Sequence, residues 1–164
     1  MAAFASSYIP TGARTVTRSA DVASVNTLSP WWNGTEGTFL FDFNQVDTVK
    51  AITVIGDDTF SNSLRFNIVE MARGVGSGFA NIVELGTAQN GSHKLAVAIK
   101  LNDYAGVFDG GAVSTDTSAS LVPSPNVLGI GRDYGTNGYM NGWMRRLAFY
   151  PVRLTDAQLQ ALTS

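Results

Sequence analysis

The strongest constraint on this chain is a two-residue period that keeps restarting. In GTFLFDF, Phe39, Phe41 and Phe43 alternate with Thr38, Leu40 and Asp42. In the segment 93–101, Leu95, Val97, Ile99 and Leu101 alternate with Ala96, Ala98 and Lys100. Leu64, Phe66 and Ile68 alternate with Arg65 and Asn67. This is the period of strands with one face on a core. Turn signals cut the runs short: Gly56-Asp57-Asp58, the GVGSG of 74–78, Asn90-Gly91 and Asp109-Gly110. Asp-Gly suits a type I′ turn, so 104–113 is expected to be a hairpin.

Further strands are expected at 51–55, 79–85, 127–131 and 143–150, with loops at 114–126 and 133–142. The polar segment 1–25, punctuated by Pro10 and Gly12, reads as an arm with a short strand around 15–18 that docks on the remainder or on a partner. Residues 26–164 then form one domain. About nine short strands and one helix signal predict an antiparallel sandwich or barrel.

The helix signal is local and complete. Pro151 cannot donate to a ladder and stops the last strand. Thr155-Asp156-Ala157-Gln158 is a capping box, and Leu154 and Leu159 fit the hydrophobic staple. The expected result is a short C-terminal helix that packs Leu159 and Leu162 against the sandwich.

Length and composition narrow the function classes. A chain of 164 residues buries a core without cross-links, so the absence of cysteine creates no stability problem. It also leaves the redox compartment open. Charged residues are 15% of the chain, against about 25% in an average domain. The net charge of −2 gives no attraction to nucleic acid or anionic membrane, and Arg145-Arg146 is too short a basic cluster for either. No run approaches the ~18 apolar residues of a membrane span. MAAFASSYIP lacks the basic and apolar stretches of a secretory leader, so none is expected.

Catalytic signatures are weak. Asp57-Asp58 is the one adjacent acidic pair, it ends a strand, and it reads as solvated; Glu70 and Glu84 stand alone. Retaining glycoside hydrolysis needs two carboxylates about 5 Å apart. The single histidine, His93, begins a strand with no nucleophile elbow near it and reads as a surface or strand-edge residue. Zinc is not expected from one histidine and no cysteine. Calcium would draw on Asp133, Asn137 and Asn141, which no spaced motif joins. No cofactor is expected.

Binding has better material. Sugar rings pack their C–H faces on aromatic side chains, while amides, carboxylates and guanidinia bond the hydroxyls. Trp31 and Trp32 share a loop, and Arg132, Asp133, Tyr134, Asn137, Tyr139 and Asn141 share another; Trp143 should point opposite to Met144. These nine are the candidate carbohydrate-binding residues. The alternative is that the aromatics cover the sandwich ends or bury against neighbouring subunits.

The run Gly142-x-Met144-x-x-Leu147-x-Phe149-Tyr150-x-x-x-Leu154-Thr155-Asp156-Ala157-Gln158-Leu159 resembles the C-terminal signature of concanavalin A-like (laminin G-like) jelly rolls. A β-bulge would reconcile the spacing of Met144 and Leu147 with that rhythm. HKLAVAIKLNDYAGVFDGGAV is similar to that family's paired strands, NVLGIGRD to its strand before the last loop, and SSYIPTGARTVTRSADV to segments preceding such domains in bacteriophage structural proteins. The resemblance implies an antiparallel jelly-roll sandwich with a short C-terminal helix. It also implies a non-catalytic virion or extracellular module, of a tail fibre, spike or capsid decoration, that binds cell-surface glycan and other virion proteins. A homo-oligomer, with a trimer favoured, is part of that expectation. A purely structural assembly domain is the alternative, and a polysaccharide hydrolase ranks last.

Overall fold

The computed structural model describes residues 22–46, 52–59, 61–67, 70–75, 78–85, 90–135 and 138–164, with backbone alone across 70–82. The strand expected around 15–18 and the site candidate Asn137 lie outside the described residues.

Two antiparallel sheets stack face to face. The strands are β1 (Ala23–Val25), β2 (Glu36–Gln45), β3 (Thr53–Gly56), β4 (Asn62–Phe66), β5 (Glu70–Val75), β6 (Gly78–Glu84), β7 (Gly91–Lys100), β8 (Tyr104–Phe108), β9 (Ser114–Asp116), β10 (Val127–Ile130) and β11 (Gly142–Tyr150). Among the described residues there is one helix, α1 (Asp156–Thr163), after the last strand. Sheet A has the order β1-β10-β3-β4-β5-β6 and sheet B the order β11-β2-β7-β8-β9. The alternation predicted an antiparallel sandwich or barrel and the resemblance implied a jelly-roll sandwich with a C-terminal helix; a sandwich of two antiparallel sheets with that helix is the fold observed.

The core lies between the sheets because the period-2 apolar faces meet there. Phe39, Phe41 and Phe43 of β2 and Leu95 and Val97 of β7 have no solvent exposure, and neither do Ile55, Leu64 and Phe66 opposite them. Phe66 bridges the layers, 5.1 Å from the Phe39 ring and 5.2 Å from that of Phe41. Leu101, expected on the inner face, falls in the turn after β7 and is exposed.

Three strands were not read from the sequence. β5 is separate from β4, β1 lies within the expected arm, and β9 lies within the expected Ser/Thr-rich loop. β9 is three residues long and too polar to alternate; it pairs with β8 through Tyr104↔Asp116 and Gly106↔Ser114. The turn that joins them does sit on Asp109-Gly110, both with positive φ. Tyr104, at the start of that hairpin, is fully buried and donates its hydroxyl to the Ser120 carbonyl at 2.8 Å.

The ending folds as its sequence specifies. The register of β11 on β2 slips between Met144 and Arg146, so Arg145 is the extra residue of a β-bulge. Thr155 and Gln158 form the reciprocal capping box. Leu154 and Leu159 pack with Leu40, Ala96, Ala98, Ala105 and Val107 on the outer face of sheet B. Arg153 holds the junction, donating to Asp103 at 2.9 Å and Asp156 at 2.7 Å. Burial opposes its charge, but the bonds to Asp156 and Asp103 outweigh that, so its affinity for the proton is raised.

Leu159→Ala is expected to cost about 2–5 kcal/mol and Thr155→Ala about 1 kcal/mol. Urea titration should show both as lower midpoints with unchanged slope.

Candidate functional site

The eight candidate residues that are described separate into three places. Trp31 and Trp32 lie where the sheets part, at the β1 and β11 edges. Trp32 packs on Phe39 and Phe149 at 6.0 and 5.2 Å, and Trp31 meets Phe149 at 5.3 Å. Both are half-buried and belong to the core's margin. Trp31 also borders an apolar cleft of about 500 Å³ with Val25, Leu128 and Leu147.

Arg132, Asp133 and Tyr134 gather on the outer face of sheet A. The residues facing the core from β10, β3 and β4 are Leu128, Ile55 and Leu64, so their neighbours Gly129, Val54 and Arg65 face outward in one row. Arg132 lies over this row. Its Nη1 donates to Asp58 Oδ1 at 2.7 Å, the Asp133 carbonyl at 3.0 Å and the Gly135 carbonyl at 2.6 Å. The N–H of Gly135 donates to the same Asp58 oxygen at 2.9 Å. Arg65 Nη1 donates to Asp133 Oδ2 at 3.0 Å, while Asp133 Oδ1 accepts from the Tyr134 N–H at 2.9 Å. Two guanidinia and two carboxylates thus pin the loop after β10 to β4 and to the β3–β4 turn.

This changes several expectations. Arg132 is only 4% exposed, and its buried Nε has no partner, so it organises the site more than it offers a surface. Asp133 is buried as well. Asp58 keeps its side chain 40% exposed, as a solvated acid would, and is also the counter-ion of Arg132. Arg65, whose side chain is 21% exposed, is the network's accessible cation, and the sequence reading passed over it. Its signal was the alternation itself, which made it the outward residue between Leu64 and Phe66. Tyr134 and Tyr139 are half-buried around this loop, and Asn141 is exposed near β11, where its carbonyl accepts from the Val46 N–H.

Gly129 makes this arrangement sterically possible. A Cβ there would stand 2.9 Å from Arg132 Cζ and Nε and 3.0 Å from Val54 Cγ1. The turn is locally specified too. The Asp57 carboxyl is held below its ordinary value, chiefly by the Thr59 hydroxyl; burial opposes this, and the Thr59 N–H and the Asn62 amide add to it.

Trp143 stands apart, on the outer face of sheet B. It pairs with Asn44, is 41% exposed and points away from Met144, as the alternation required. His93 is not a surface residue. Its side chain is 9% exposed, set between the Phe43 and Phe108 rings, and its Nδ1 lies 2.7 Å from Asp109 Oδ2. Among the described residues no three His, Cys, Asp or Glu side chains gather as metal ligands would.

Chemically, the sheet A site is a rigid patch of fixed donors and acceptors with a tyrosine at its rim. Both carboxylates are engaged by guanidinia, which suits hydroxyl recognition and not proton shuttling.

Gly129→Ala is expected to cost about 1–3 kcal/mol and to speed hydrogen exchange at the Gly135 N–H. For Asp57 the folded value is depressed, so its contribution is present above its unfolded value and lost as pH falls through the folded one. The stability gap between wild type and Asp57→Asn should shrink as pH is lowered through and below the ordinary Asp value of 3.8, measured by urea titration at a series of acidic pH values.

No family model and no curated protein sequence matches the chain. Solved structures do. Domain 4 of AbnA, a GH43 extracellular arabinanase from Geobacillus stearothermophilus in complex with arabinotriose, superposes with a TM-score of 0.67 at 12% identity, covering 89% of this chain and 82% of that one. The CBM40 of the Ruminococcus gnavus IT-sialidase, bound to α2,6 sialyllactose, gives 0.62 at 14% identity, covering 79% and 84%. The NanB sialidase of Streptococcus pneumoniae gives 0.60 at 11%, covering 85% of this chain and 26% of that one. At these identities the likeness establishes the fold: a β-sandwich of the kind carried by carbohydrate-binding domains.

Proposed function

We propose that this chain is a non-catalytic carbohydrate-binding module that presents the outer face of sheet A to a glycan. The observation that carries the reading is the pre-ordered network of Arg65, Asp133, Arg132 and Asp58 beside Tyr134, which ties the loop after β10 to strand β4 and to the β3–β4 turn. Polar groups already fixed by one another lose little freedom when a sugar's hydroxyls replace water. The solved relatives in complex with arabinotriose and sialyllactose support the same reading. The role on a virion, as a fibre, spike or decoration module that adheres to cell-surface glycan, is the finer part of the proposal. It is supported by the resemblance of the N-terminal segment to those preceding such domains in bacteriophage proteins.

A structural assembly role is the second reading. The apolar cleft beside Trp31 and the β1 edge favours it, since a neighbouring subunit would gain by covering it. Removing residues 1–21 leaves β1 and its pairing to β10 intact. A glycan binder should keep its ligand after that trim, and an assembly domain should fail to enter the particle.

On a glycan array the wild-type chain should bind a defined set of host-surface glycans. Arg65→Ala should weaken binding about ten- to a hundredfold, and Tyr134→Ala should weaken it too, with thermal melting confirming that both remain folded. Absence of binding to any printed glycan, or binding indifferent to both changes, would sink the proposal.

A further inference from the structure

We infer a second sugar-binding surface on the outer face of sheet B, centred on Trp143. This rests on the reading of the chain as a glycan binder, but not on the sheet A site. Helix α1 covers only part of this face, over Leu40, Ala96 and Ala98. The part beyond the helix is polar and is built in rows across three strands. Trp143, Asn44 and Ser92 are register partners and so share one row; two inter-strand gaps of about 4.8 Å separate its ends. Asp42 and Lys94 form the next row, and the bulged Arg145 reaches back over both.

The polar groups are already fixed by one another. Ser92 Oγ accepts from Asn44 Nδ2 at 3.0 Å and from an Arg145 guanidinium N–H. Its own hydroxyl proton is therefore left to donate, and the Asn44 carbonyl oxygen to accept. Arg145 Nη1 lies 3.8 Å from Asp42 Oδ1. Lys94 Nζ is turned to the Ser164 carbonyl, which closes the far wall of a groove of about 190 Å³.

An exposed indole next to interleaved donors and acceptors matches one ligand chemistry well. A pyranose ring offers an apolar C–H face for Trp143 and adjacent hydroxyls that both donate and accept for Asn44, Ser92 and Asp42. An apolar peptide would leave those polar groups without partners, and a phosphate would meet the Asp42 carboxylate.

The test uses the full chain labelled with ¹⁵N, with the Trp143 indole resonance assigned by its loss in Trp143→Phe. Lactose, cellobiose, maltose, arabinotriose and sialyllactose are titrated in turn. At least one sugar is expected to move the Trp143 indole and the Asn44 side-chain amide together and saturably. Trp143→Ala and Asn44→Ala should each weaken that response about tenfold or more. A Trp143 resonance unmoved by every sugar, or binding unchanged in both variants, overturns the inference. Movement at Arg65 and Tyr134 with Trp143 silent would sink this surface and leave the sheet A site standing. Movement at Trp143 with Arg65→Ala inert would do the reverse.

Discussion

The ten-residue ladder between β2 and β7 is the constraint on which the rest of the molecule depends. Once Glu36 stands opposite Lys100 and Gln45 opposite Gly91, every side chain between them is assigned a face. One parity sends Phe39, Phe41 and Phe43 into the core with Leu95 and Val97. The other sends Leu40, Ala96 and Ala98 outward, and these need a cover, which α1 supplies. The same outward parity then changes character along the strands. Past the helix it carries Asp42, Asn44, Ser92 and Lys94, and no cover is required. A slip of one residue would exchange phenylalanines for aspartate and asparagine, so register and surface chemistry are set together.

Sheet A follows a related logic with a different result. Among the described residues no helix covers its outer face, and Arg132 lies over Gly129 instead, tied to Asp58 and Asp133. Breaking such a network by removing one partner leaves a charge buried without compensation. The network therefore joins the stability of the late loop to whatever the face binds. Asp58 and Arg65 come from one stretch of the chain and Arg132 and Asp133 from another far along it, and the four act as one unit.

Much of this was legible in the sequence, for physical reasons. Alternation showed the core strands because one face of each must leave water. Pro151, the capping box and the bulge before Leu147 were legible because each is a local rule. The short strands β1 and β9 were not, since three residues carry no period and their partners decide their state. In the candidate site, the aromatic-polar loop pointed to Arg132, Asp133 and Tyr134, yet their burial was invisible. Arg132 is buried because Asp58 stands beside it, 74 positions away in the chain. Arg65 was missed for the same reason. Trp31 and Trp32 stood out in the sequence as adjacent aromatics, but their half-buried packing on Phe149 at the core's margin was not legible there.

The bulge at Arg145 has a consequence for how this molecule can vary. It works as a frame correction in a two-letter code of in and out. Before it, Met144 reads in and Trp143 out; after it, Leu147 and Phe149 read in again. Without the extra residue, one half of the strand would be inverted relative to the other. β11 therefore consists of two separately framed segments joined at a hinge of register. The segment holding Trp143 is free to change its outward residue without disturbing the segment that meets Trp31 and Trp32. A lineage of such chains can rewrite one face of the strand while its packing half stays constant.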